Sequence, residues 1–397
     1  MPSTRRGLLA SAGVGAVALA GCTTVSRSRL GDYLREPPDR RVPADWRPGP
    51  GTWAGAGYGP ANTRRNPHAT PPRGPPEVAW RDDLPEAPDS LVVAGGTVYR
   101  SVAGRLVAHD AGTGEVRWGR EVGAAHALAY VDGRLYATTT DEELTALSPD
   151  GAELWRTRFA AGRLTALHEQ DGYVFLGTTD GYRVLHADTG DVVRANEAAW
   201  EFLAAAAGRV YATRGSAPGT PVAYDVTART LAADWRVGSP CGIHRPVVDD
   251  GRVYLPVDPD HAPDCGGSHR LWAYDTDGER RWTATVGGDP GYLAADGDRV
   301  FVPTASGDGG SGRLVCLGRD GRRRWSHDFP GGLRAPTVAG GTVYAGPAGS
   351  DRAPLVALDA ATGERRWARE VSRDVRIAAA GETLYVGAED GLLALRD

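Results

Sequence analysis

Short runs in which apolar and polar residues alternate recur along the whole chain, broken by clusters of glycine, aspartate and proline; TVYRSV, RLVAHD, RLYATTT and YVFLGTT are typical. A period of two over five to seven residues, rich in β-branched and aromatic side chains, predicts half-buried strands, and the Gly/Asp clusters predict the turns between them. Beyond the first 21 residues no window carries a long 3.6-residue apolar period, which disfavours helical bundles and doubly wound α/β folds. The expected fold class is all-β.

One unit repeats. An aromatic strand pair stands at Val98-Tyr99, Leu135-Tyr136, Val174-Phe175, Val210-Tyr211, Val253-Tyr254, Val300-Phe301, Val343-Tyr344 and Leu384-Tyr385, a mean spacing of about 41 residues. A turn dipeptide such as GG, DG or GE precedes each pair, and an alternating strand such as RLWAYD or GLLALR follows. A tryptophan then closes the phrase at Trp118, Trp155, Trp235, Trp282, Trp325 and Trp367. The physics expected of this last phrase is local. Asp110 or Asp359 holds the turn through its backbone N–H groups, Gly114 or Gly363 supplies the positive φ, and the tryptophan four residues on carries the buried area. The third unit has Arg194 in place of the tryptophan and the fourth a longer turn, so those two should pack less tightly there.

Four short strands in a unit of this length make a propeller blade, so eight units predict an eight-bladed β-propeller of four-stranded antiparallel blades. The last unit ends at Asp397 without a tryptophan strand, while EVAWRDD around Trp80 is a strand to spare. Pairing of this N-terminal strand with the C-terminal blade would close the ring and remove its open edges.

Composition narrows the chemistry. All 45 basic residues are arginine, which removes Walker-type phosphate loops and Schiff-base mechanisms. A net charge of -5 with no basic block argues against nucleic acid as a partner. At the N-terminus, Arg5 and Arg6 precede an uncharged run that ends in Leu19, Ala20, Gly21 and Cys22. That run is shorter than the ~20 residues of a membrane span, and its order is that of a twin-arginine lipoprotein leader with Cys22 as the lipidated residue. Residues 23–52, rich in Pro, Arg and Ser and without strand alternation, read as a flexible tether with a reach of roughly 30 Å. The expected organisation is thus leader 1–22, tether 23–52 and propeller 53–397. The domain would be exported and held by lipid alone at the outer face of the membrane or cell envelope.

AHDAGTGEVRW (108–118) and ALDAATGERRW (357–367) resemble the tryptophan-docking motif of the quinoprotein, or PQQ-like repeat, family, as does the lead-in WAGAGYGPANTRRNPHATPP before Trp80. The resemblance runs from about Trp53 to the end and implies Trp80 and the six later tryptophans as structural docking residues. It also implies one of two functions: a cofactor-free binding scaffold for protein partners, as in BamB-like lipoproteins, or a quinone-dependent alcohol or sugar dehydrogenase. Quinone enzymes of the family stack the cofactor on an adjacent Cys-Cys disulfide, and this chain has no adjacent cysteines. The expectation is therefore an envelope-anchored binding module with no cofactor. Its rival is that dehydrogenase or another enzyme using the central channel.

Four cysteines occur. Cys22 is assigned to lipid, and Cys316, inside an alternating strand, to an inert buried thiol. Cys241 and Cys265 flank the longest blade, and in an exported chain they are expected to form a disulfide. The alternative is a zinc cage of Cys241, His244, Cys265 and His269.

Overall fold

The computed structural model describes residues 37–397 except 83–85, 124, 140–141, 160–163, 179–180, 197–199, 207, 215–219, 228–229, 238–240, 259–267, 307–309 and 349–352. These residues form strands and turns and no helix. They build eight antiparallel blades in a ring, an eight-bladed β-propeller. Blade 1 consists of Ser90–Ala94, Thr97–Val102, Arg105–Asp110 and Val116–Glu121, from the channel outward. Blades 2 to 7 follow in chain order over 125–158, 164–196, 200–236, 242–285, 289–329 and 332–371. Blade 8 takes its three inner strands from Arg376–Ala380, Thr383–Ala388 and Gly391–Arg396, and its outer strand is Glu77–Asp82. The register sets Trp80 opposite Ala394 and Asp82 opposite Leu392, so the ring is closed by the N-terminal strand as the sequence predicts.

The two repeat signals found separately in the sequence form one packing unit. In every blade but the third the aromatic residue of the second strand lies against the tryptophan of the outer strand, as in Tyr99 and Trp118 at 5.9 Å between ring centroids. Tyr385 and Trp80, from opposite ends of the chain, pair in the same way at 6.0 Å. A β-bulge just before the tryptophan turns the indole out of its own sheet.

The indole then docks on the next blade, and here the local reading is corrected. Trp80 Nε1 donates to the Ala111 carbonyl of blade 1, Trp118 to Pro149 of blade 2, Trp155 to Ala187 of blade 3, Trp235 to Thr276 of blade 5, Trp282 to Arg319 of blade 6 and Trp325 to Ala360 of blade 7. Each ring lies on the turn glycine of that neighbour: a Cβ on Gly114 would sit 2.7 Å from Trp80, not near Trp118. The turn itself is held as expected, with Asp110 Oδ1 accepting from the N–H groups of Gly112 and Thr113. Trp367 docks on the Pro72 carbonyl, so the lead-in gives blade 8 both its outer strand and its docking turn.

Blade 3 carries the predicted exception. Arg194 is exposed in the strand Val192–Asn196, and the join to blade 4 is made nearer the channel, where Phe175, Tyr182 and Val184 pack on Ala205, Val210 and Val222.

The tether expectation ends earlier than predicted. From Pro38 onward the chain belongs to the propeller unit. Val42 is fully buried between blades 2 and 3, and Arg40 pairs at 2.6 Å with Glu169, whose side chain is inaccessible. The lead-in then runs as a strap around one face of the ring. Its carbonyls accept from N–H groups of the inner strands, or in blade 3 of the turn that follows: Val42 from Asp171, Ala54 from Tyr130, Pro60 from Ala205, Ala61 from Val248, Thr63 from Ala295 and Arg64 from Val338. Trp53 bridges to Val93 in blade 1, and Thr70 donates to the Gly381 carbonyl in blade 8. The strap thus bonds to all eight blades.

Candidate functional site

Strand alternation puts the turns between first and second strands, and between third and fourth, on the strap face. The remaining connections lie on the opposite face. The strap forms the floor of the central channel, which opens to that opposite face as a funnel of about 500 Å³. This is within the range of small-ligand sites.

One equivalent position lines the funnel in seven of the eight blades: the residue at the loop-face end of the inner strand, two before the first residue of the turn-proximal run. It is Ser90, Ala127 and Ala166 in blades 1 to 3, then Arg245, Tyr292, Ala335 and Arg376 in blades 5 to 8. Arg334 precedes Ala335, and Arg64 rises from the strap. One half of the wall, Ser90, Ala127 and Ala166, is therefore small and uncharged, and the other half is cationic.

The guanidiniums of Arg64 and Arg245 both lie over the Tyr292 ring, at 5.7 and 5.2 Å from its centroid. Burial, then the like charge of Arg245, pushes the Arg64 pKa down to about 9. Burial lowers Arg245 and Arg376 as well. Arg334 is paired with Asp374, whereas among the described residues no carboxylate pairs with Arg64. Arg64 also holds a left-handed backbone, φ 50°, an uncommon conformation for a side chain of this size. Across the funnel, buried Glu169 is satisfied by Arg40 and by the Tyr136 hydroxyl.

The arginine ring was missed in the sequence because each arginine is a single residue in a different repeat. Aligning the eight units on their aromatic pairs brings Arg245, Tyr292 and Arg376 into one column, and that is the signal that finds them.

The residues nominated from sequence fall elsewhere. Trp80 and the later tryptophans are structural. Arg5, Arg6, Cys22 and Cys265 lie outside the described residues. Cys316 is a buried free thiol. Cys241 is buried and disulfide-bonded, which leaves it no thiolate for a zinc ion. It sits beside the Gly242–Ile243 bridge to Val257–Asp258, and Val257 in turn pairs with Arg270, so the segments that carry His244 and His269 flank one strand of blade 5. The His244 N–H donates to Pro256 and the His269 carbonyl accepts from Val286. Among the described residues no three His, Cys, Asp or Glu side chains come together to hold a metal. The funnel does not fit the calcium that accompanies the quinone in such enzymes, since its fixed charges are mainly guanidinium groups that would repel a divalent cation.

A family model described as outer membrane protein assembly factor BamB matches residues 102–217 and 267–397. BamB of Yersinia pestis is 32% identical over 112 residues, a stretch that spans 28% of this chain and 28% of that protein. Among solved structures, BamB from Moraxella catarrhalis is similar with a TM-score of 0.61 at 18% identity, covering 81% of this chain and 99% of that one. A quinohemoprotein alcohol dehydrogenase from Pseudomonas putida is similar at 0.59 and 13% identity, covering 90% and 82%. At these identities both structures speak for the fold alone.

Proposed function

The chain belongs to the family of outer membrane protein assembly factor BamB, and on that premise we propose that it is a binding scaffold for protein partners at the cell envelope, exported through Arg5 and Arg6 and anchored by lipid on Cys22. The observation that carries the docking side of this reading is the strap. It occupies one face of the ring, and the opposite face keeps the open funnel. Partners dock on that open face. The name of the Yersinia relative, an outer membrane protein assembly factor, supports protein partners rather than a small substrate. Nothing in the funnel favours the dehydrogenase reading.

A photo-cross-linking residue replacing exposed Arg373, on the open face, should give protein adducts in cells, and one replacing Gly133, on the strap face, should give none. Adducts from neither face overturn the scaffold. Cys22→Ser should release the protein from membranes and the Arg5→Ala/Arg6→Ala pair should keep it inside. We further assign Cys265 as the disulfide partner of Cys241; mass spectrometry without reductant should find the two linked and Cys316 free.

A further inference from the structure

The cationic half of the funnel centres on Arg64. Arg64 is brought to the channel axis on a left-handed backbone, faces Arg245 across a single tyrosine ring, and is compensated by no carboxylate among the described residues. A guanidinium does not shed its proton to escape burial, so the charge is retained and must be met by an anion. Asp374 pairs with Arg334 and, with Asp89, also acts on Arg376, and neither acts on Arg64. The chain as a whole is acidic, so this concentration of positive charge at the base of an open cavity runs against its average. The facing wall of Ser90, Ala127 and Ala166 is small and uncharged, and the cavity is far larger than an inorganic anion needs.

We propose that the funnel is an anion-binding site that receives an acidic segment of the docked partner, with its carboxylates held by Arg64, Arg245 and Arg376 and the rest of the segment against the small, uncharged wall of blades 1 to 3. This rests on the open face being the docking face. Arginine suits the task because its planar fork meets a carboxylate with two parallel hydrogen bonds.

The probe is acetylated, amidated tetraglutamate, titrated against the intact protein by calorimetry at low salt, with tetraglutamine and citrate alongside. Tetraglutamate should bind, tetraglutamine should not, and Arg245→Gln/Arg376→Gln should weaken tetraglutamate by tenfold or more while still melting cooperatively. Arg64→Gln should do the same and raise the melting temperature of the free protein, because it removes an uncompensated cation. Failure of tetraglutamate to bind, or binding of citrate alone, overturns the proposal. In cells, adducts at position 373 should fall sharply in the Arg245→Gln/Arg376→Gln background. Undiminished adducts there overturn the acidic segment while leaving the docking face intact.

Discussion

At the scale of single residues, the ring depends on glycines that are defined by another blade's tryptophan. Gly321 has φ 79° and a Cβ placed there would lie 2.7 Å from Trp282, whereas Gly95, at φ 56°, has nothing within 4 Å. Both Gly→Ala changes incur backbone strain, and only the first also displaces an indole. Gly321→Ala should therefore lower stability by about 2 kcal/mol more than Gly95→Ala, read from denaturant midpoints. The sequence shows the turn aspartate and the glycine, because both act within five residues. It hides the stacking partner because Trp282 lies in the preceding repeat. A second residue-scale effect comes from His168, stacked on Phe175 at 6.2 Å and pushed by burial to a pKa of about 4. Between the unfolded value near 6.5 and the folded value, the unfolded chain binds a proton that the folded chain refuses. Stability is lost as pH falls through that window, and His168→Phe should remove up to about 3 kcal/mol of this acid sensitivity.

Among the elements, strands were legible and the strap was not. Strands bury one face and must alternate, so their pattern is written in side chains. The strap uses its own carbonyls to satisfy inner-strand N–H groups, an interaction that sets no hydrophobic period, and its prolines and arginines look like tether composition. Its ends are testable by truncation. A chain beginning at residue 38 should match the full chain in stability, whereas one beginning at residue 53 loses Val42 and leaves Glu169 without Arg40. That removes a buried apolar side chain and one partner of a buried ion pair, a loss of about 5 kcal/mol in thermal or denaturant melts.

For the molecule as a whole, counting repeats was enough to predict closure, because a ring with an odd strand at each end has one way to pair them. Deleting residues 384–397 removes two strands of blade 8 and exposes the Glu77–Asp82 edge, and the product should aggregate; a soluble truncation with a cooperative melt would refute the assignment. Closure also ties Arg100, fully buried in blade 1, to Asp82 of the closing strand at 2.5 Å. The arginine funnel was beyond this kind of reading, since it exists only where four blades and the strap meet. The strap has a mechanical consequence as well. Tension applied to the chain ahead of Pro38 does not peel the closing strand of blade 8 from its neighbour one hydrogen bond at a time. It enters first at the Arg40 and Val42 contacts with blades 2 and 3 and must then shear a segment fastened in turn to every blade. The seam, the weakest place in a ring closed by its two ends, is thereby kept out of the path of the force.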